Sequence, residues 1–510
     1  MKTGHPKALY YLFFAELWER FSYYGMRALL VLYVVQKLYA DLAQDVADTR
    51  AYGIYAAFGA LVYATPVLGG MIADKFLGYR KSILTGGVMM AFGLFLMAAD
   101  IPLFFFAGLG FLVTGNGLFK PNISSMVGSL YEQGDPRRDA GFTIFYMGIN
   151  IGAWLSPLAC GWIAYAYGWS YGFGLAGVGM LLGLLVFQLG INNGTFEGKG
   201  LAPETEENRV KFAGMSKSAW SIILAVLSVP ILTILIYKSE LAGYMLYTIL
   251  ALVVFIVGKS FIEITRPERE KIIVIFILAV FSTMFWAFFE QAGSTITLFA
   301  ERNVDLVFMN AAQTNMINPF FIIALAIPAS LLWTWLAARK MNPYTPYKFA
   351  FAIAQLGLGF LVFAYGARFA SETGQVPLVF LIVGYFLITT GELFISPIGL
   401  SMVTRLSPAK VVSFMMGVWF LSMSFAHYIA GFIAQFTTKE VTANGGFLEK
   451  VTILVTGLTP EIVAEKGGGA FRTLLSYSNV FSSIAIIALG MALLAFVLTP
   501  LIRKLMHGEH

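Results

Sequence analysis

Near the start of the chain, Glu16, Glu19, Arg20 and Arg27 stand among apolar and aromatic residues in the run ELWERFSYYGMR. Positions 16, 20, 23 and 27 follow the spacing of one helical face, with Glu19 alongside. Carboxylates and arginines within one turn form a proton-responsive device, because protonating a Glu releases its Arg partner to bind an anion elsewhere. The same stripe also suits a structural ion-pair network between helices. Further ionisable groups sit inside later apolar runs: Lys120 in GNGLFKPNISS, Glu290 in MFWAFFEQAGS and Glu392 in TTGELFISPIGL. None has an obvious local counter-ion, and unpaired buried charges are strongly disfavoured. The expected pairs are therefore Arg27 with Glu290 and Lys120 with Glu392, each able to close one gate.

The polar groups also differ between the two halves of the chain. Arg20, Arg27 and Lys120 lie in the first, Glu290 and Glu392 in the second, so a bound zwitterion could span a cleft with its amine toward Glu392. Asn150 in FYMGINIG and Asn318 in INPFF could bond its polar ends, or bond between helices instead. Tyr23, Tyr24, Tyr63, Trp286 and Trp419 could form apolar walls with polar tips, or could face lipid or core. Breaks at Lys120-Pro121, Asn318-Pro319 and Ser396-Pro397 could bend gating helices, or be packing kinks.

The elements that must position these residues are membrane helices. The 510 residues are 58% hydrophobic and only 12% charged, with a mean hydropathy of +0.76. Apolar runs of about twenty residues recur, each long enough to cross a hydrocarbon core of about 30 Å. In the first of them the apolar side chains favour insertion by about 6 kcal/mol, against about 12 kcal/mol for four central charges. The charges must therefore face an internal cavity rather than lipid.

Helices are expected near residues 8–36, 50–76, 81–99, 102–130, 139–166 and 171–192, then 219–237 and 241–262, then 270–300, 309–337, 347–368, 377–405, 410–437 and 471–502. The count is about 14. This predicts an all-α integral membrane protein with a six-helix bundle in 1–192, a cytoplasmic linker and two inserted helices in 193–269, and a second six-helix bundle in 270–510. The N-terminus has a basic start but no small-residue cleavage site, so it reads as a retained first helix. With that end cytoplasmic, the inner connections hold roughly twice the Lys and Arg of the outer ones, which places both termini inside. The stretch from 438 to 470 is then a long outer loop.

The net charge of +6 is spread in short clusters between apolar runs, with no basic arm, which argues against nucleic acid. Cys160, the single cysteine, excludes an internal disulfide and a cysteine-based metal cluster. There is no GxxxxGK[ST] phosphate loop and no His-Glu cluster of metalloprotease type, so no cofactor or metal is expected.

Two six-helix halves are the plan of the major facilitator superfamily, and GGMIADKFLGYRKS resembles its loop motif through Gly70, Asp74, Gly78, Arg80 and Lys81. More specifically, Glu16 to Gly25 matches the ExxERFxYYG signature of the proton-dependent oligopeptide transporter family at every fixed position. FYMGINIG resembles its second signature, and GELFISPIGL and MMGVWFLS its tenth and eleventh core helices. The resemblance implies a facilitator-fold symporter that imports di- and tripeptides with protons across the cytoplasmic (inner) membrane. Bacterial members carry two extra helices between the halves.

By motif position, Glu16, Glu19, Arg20 and Glu290 would serve proton coupling. Arg20, Tyr23, Tyr24, Arg27, Tyr63, Lys120, Asn150, Trp286, Glu290, Asn318, Glu392, Ser396 and Trp419 would line the peptide site. Mammalian members use a histidine near the second helix, where this chain has none. His427 is its only histidine within an apolar segment and reads as a packed or boundary residue, which leaves proton transfer to carboxylates.

One charge crossing 100 mV gains about 2.3 kcal/mol, enough for roughly a fiftyfold gradient per proton. Plant relatives of the fold move nitrate, but nitrate has no amine for Glu392 to meet. A membrane enzyme using Glu290 and Glu392, or Lys120 and Ser396, would need a catalytic loop or cofactor site, whereas these residues sit within helices. A peptide-sensing receptor would bind without accumulating.

Overall fold

A computed structural model of the chain describes residues 4–132, 134–203, 211–212, 214–395, 399–408, 411–439, 441, 446–466 and 469–508. Among these, twelve helical segments are long and apolar enough to cross a bilayer. One of them, Gln44–Ala98, is 55 residues long and turns at Gly78. Helix α1, Lys7–Tyr33, carries four of its five charged residues in its interior and is also of spanning length. Dividing the first and adding the second gives the fourteen spans that the apolar runs predict.

The chain separates into two compact units, Met1–Leu38 with Ala57–Ala242, and Tyr39–Ala56 with Gly243–His510. The division falls inside α2 (Gln44–Ile72), whose first turns belong with the second unit.

In the first unit, α1 packs on α5 (Arg138–Tyr167) and α6 (Trp169–Asn192), and α3 (Gly78–Ala98) packs on α4 (Pro102–Ser129). The α3–α4 contact runs through paired glycines seven residues apart. A Cβ at Gly86 would lie 2.5 Å from the Gly115 carbonyl oxygen, and one at Gly93 2.6 Å from that of Gly108. Helix α2 meets α4 in the same way, Gly69 against Gly117. Small residues let helix backbones close where lipid supplies no hydrophobic drive. Gly115→Leu therefore forces α3 and α4 apart, at a cost of about 3 kcal/mol or more, and the monodisperse peak in detergent gel filtration is expected to disappear. Gly258→Leu, at a glycine with nothing within 4 Å, should keep it.

The loop motif forms a tight turn. Gly78 has φ +71°, with its α-carbon against the backbone of Leu201 and Ala202. Arg80 holds the same strand of loop, donating from Nε to the Lys199 carbonyl at 2.6 Å and from its backbone N–H to Gly200 at 2.9 Å. Helix α7 (Lys217–Tyr237) lies on α4, with Ala225 and Val229 packed on Leu77, Met89 and Leu118. Thr114 and Ser228 hydroxyls meet there at 3.3 Å.

After the N-terminal part of α2, the second unit takes in α8 (Ser239–Glu263) from Gly243, which abuts the Tyr428 hydroxyl. Helix α9 (Arg266–Phe289) starts on a reciprocal Thr265–Glu268 cap and packs on α15 (Val412–Ala434). The single helix expected at 270–300 is broken: a 3-10 turn, Glu290–Gly293, separates α9 from α10 (Thr295–Asn303). Then come α11 (Ile317–Ala338), α12 (Thr345–Tyr365), α13 (Leu378–Ile395) and α14 (Gly399–Leu406). The stretch expected as a loop at 438–470 contains two short helices, α16 (Phe447–Thr456) and α17 (Pro460–Glu465), before α18 (Gly469–Leu505), which packs on α12.

The prolines differ from one another. Pro121 lies within α4, which continues to Ser129, whereas Pro319 stands in the first turn of α11, where a proline suits a helix start rather than a bend. Ser396 and Pro397 lie outside the described residues.

Candidate functional site

In the first unit the charged face of α1 is buried as expected: Glu16 is 2% exposed, Glu19 0% and Arg20 3%. The Arg20 guanidinium grips Glu19 with two donors, Nη2 to Oε1 at 2.7 Å and Nε to Oε2, and its Nε also lies 3.2 Å from Glu16 Oε1. A planar fork matched to two carboxylate oxygens is the geometry that arginine supplies and lysine does not. The residue that sequence reasoning missed is Asn116 of α4, whose Nδ2 donates to Glu19 Oε1 at 3.2 Å. It stands one helical turn before Lys120, the signal that could have marked it.

Glu16 Oε2 is buried with no hydrogen-bond partner among the described residues, which leaves one acceptor position open on a carboxylate already facing Arg20. This cluster can take up a proton and loosen the hold on Arg20.

Aromatic rings surround the cations. Arg20 lies 5.4 Å from the Tyr23 ring, Arg27 5.7 Å from Tyr24, and Lys120 Nζ 4.3 Å from Tyr63. Tyr23 in turn stacks on Phe58. Lys120 is within Coulombic range of Glu16, Glu19 and Arg20, so the first-half residues form one electrostatic group. Asn150 donates to the Tyr146 carbonyl of its own helix at 3.0 Å.

In the second unit, Asn318 of α11 donates to Glu392 Oε2 at 2.9 Å and to the Thr389 hydroxyl at 3.0 Å; Thr389 is a further residue the sequence did not flag. Glu392 is 7% exposed. Trp419 packs on Gly399, and Trp286 meets Phe285 and Phe289. Glu290, at the α9 break and 3% exposed, accepts from the Tyr55 hydroxyl at 3.1 Å. His427 is buried beside it rather than at a boundary.

A separate polar cleft of about 520 Å³ opens around Asp48, Arg302, Thr437, Lys439, Arg472 and Tyr477. There Arg302 makes a bidentate bridge to Asp48, at 2.6 and 2.7 Å, and donates to Tyr477 at 2.7 Å. Ser396 is outside the described residues.

The model of the POT family matches residues 80–454. The chain belongs to the POT family. This match begins after the Glu16 to Gly25 run and takes in FYMGINIG, GELFISPIGL and MMGVWFLS. As a POT family member it is a multi-pass membrane transporter of the major facilitator fold, not an enzyme.

It is similar to the peptide transporter YePEPT of Yersinia enterocolitica subsp. palearctica serotype O:3 (strain YE-P4), 35% identical over 84% of this chain and 88% of that one. It is also similar to dipeptide and tripeptide permease A of Proteus mirabilis (strain HI4320), 32% identical over 98% and 96%. Among solved structures, the peptide transporter POT in complex with sulfate superposes with a TM-score of 0.78 at 33% identity, covering 100% of this chain and 97% of that one.

Proposed function

We propose that this POT family member imports di- and tripeptides with protons by alternating access. In this reading it works in the bacterial cytoplasmic membrane, with both termini on the cytoplasmic side. The observation that carries the reading is the buried Glu16–Glu19–Arg20–Asn116 cluster, in which a fork-bound carboxylate and an open carboxylate oxygen lie on one helix. Protonation there weakens the hold on Arg20, which links substrate binding to proton entry.

Glu392, oriented by Asn318, offers a carboxylate to a peptide amine, while Arg27 and Lys120 offer charge to its carboxylate. Between turnovers, Arg27 pairs with Glu290 and Lys120 with Glu392, closing alternate gates. The peptide names of the relatives support this substrate class, as does an amine-binding group that nitrate would not need.

The test is uptake of labelled dialanine into proteoliposomes under an inward proton gradient and with the gradient collapsed. Accumulation is expected only with the gradient. Glu392→Gln, which removes the charge that meets the amine, should raise KM about tenfold or more. Accumulation of nitrate in place of dialanine would keep the fold and discard the peptide assignment.

A further inference from the structure

His427 lies on α15, 2% exposed, with Nδ1 3.6 Å from Glu290 Oε2. The same carboxylate oxygen accepts the Tyr55 hydroxyl at 3.1 Å. Three elements of the second unit thus converge on one carboxylate: the 3-10 turn after α9 supplies Glu290, the N-terminal part of α2 supplies Tyr55, and α15 supplies the imidazole.

The packing fixes this arrangement. One helical turn past His427, Gly431 has no side chain, and its α-carbon closes on Ala56 and on the Tyr52 carbonyl oxygen, where a Cβ would lie 2.8 Å from that oxygen. The next residue of the α9 break, Gln291, donates to the Ala430 carbonyl at 2.9 Å and to Ala287 at 3.1 Å. Helix α15 is therefore tied to α2 and to α9 within a turn of the imidazole.

Other titratable groups on neighbouring helices make contacts of their own. Tyr52 of α2 accepts from Thr437 at 3.2 Å, and Tyr247 of α8 meets the ring of Tyr428.

We propose that Glu290 and His427 act as one proton-binding unit, with Tyr55 as its fixed donor, in place of a lone carboxylate. The proposal rests on the reading that Glu290 takes part in proton coupling. Its physical basis is charge balance in a buried place. With one proton between them the pair is neutral overall, either as carboxylate and imidazolium or as carboxylic acid and imidazole. Losing that proton leaves a buried carboxylate uncompensated, and gaining a second leaves a buried imidazolium without a counter-charge.

The pair therefore keeps one proton over a wide pH range and releases it when a cation arrives to replace it. Its titration belongs to the pair rather than to either residue. At 3.6 Å the two groups interact as charges rather than through a hydrogen bond, and rotation of the imidazole closes the gap. Tyr55 donates to Oε2 in either form, and that oxygen has lone pairs enough to accept this bond and also face the imidazole. The proton comes from water on the acidic side and leaves to water on the other, with no other bond made or broken.

The deciding measurement is solid-state nitrogen NMR of protein labelled in its histidine rings, in liposomes, between about pH 5 and pH 8. The His427 signal is assigned by its loss in His427→Gln. In Glu290→Gln the His427 midpoint should move toward acid by about one unit or more, because the imidazolium loses its counter-charge. A midpoint unchanged by Glu290→Gln overturns the proposal.

In parallel, His427→Gln should lower gradient-driven dialanine accumulation about tenfold or more while peptide exchange without a gradient falls about threefold or less. Equal losses in the two assays also count against it. If the unaltered protein moves no dialanine, the peptide reading fails, and the NMR result still decides whether the two groups share a proton.

Discussion

Glu19→Gln abolishes gradient-driven accumulation of dialanine, with an expected loss on the order of 100-fold. Both oxygens of Glu19 are committed: Oε1 accepts from Arg20 Nη2 and Asn116 Nδ2, and Oε2 from Arg20 Nε. An amide in either orientation points an NH2 group at an Arg20 donor, so at least one bond becomes a donor facing a donor. The negative charge is lost as well, and Arg20, 3% exposed, is left with Glu16 alone in this cluster. Stranding one partner of a buried pair costs about 3–5 kcal/mol, more than a transport cycle can absorb without a large loss of rate. Arg20→Lys should be nearly as damaging, since a point charge cannot hold two oxygens of one carboxylate and reach Glu16 as well. Accumulation within about threefold of the unaltered protein in Glu19→Gln would remove this cluster from the coupling mechanism.

The second large effect is on stability. Arg302→Leu removes three charge-assisted bonds and leaves Asp48, 4% exposed, as an uncompensated carboxylate beside Tyr477. The cost is about 3–5 kcal/mol, and the thermal midpoint in detergent is expected to fall by roughly 4 °C. Replacing both partners, Asp48→Leu with Arg302→Leu, should recover at least half of the loss, because the penalty lies in the stranded charge rather than in the missing attraction. A single variant whose midpoint moves by about 1 °C or less would show that water in the adjacent cleft already solvates Asp48.

The spans were legible because each is an apolar run of the length a bilayer demands, and that signal needs no knowledge of neighbours. It weakens where a helix leaves the membrane. Helix α2 starts at Gln44, several residues before its apolar run, because Asp45, Asp48 and Thr49 extend it into polar surroundings. The two short helices at Phe447–Thr456 and Pro460–Glu465 fall below any spanning length and left no comparable trace.

The charges on α1 were legible as a face because they are local, sharing one helix. Their partners were not: Asn116 is 97 positions from Glu19, and Tyr55 is 235 from Glu290. His427 was visible as a histidine in an apolar segment, but the sequence carried nothing to connect it with Glu290. Asn318 and Glu392 were both marked from their own surroundings, and their hydrogen bond was not.

Just 6% of the apolar stretch of helix α11 is buried within the protein. Phe320, Ile327, Leu331, Leu332 and Trp335 all point outward. Most of its length therefore has little protein packed on it, and its tilt is expected to respond to hydrocarbon thickness more than that of its buried neighbours. Asn318, which orients Glu392, rides on its first turn. A change of hydrocarbon thickness is therefore expected to alter the hold on this carboxylate, and dialanine affinity measured in short-chain and long-chain bilayers is the check.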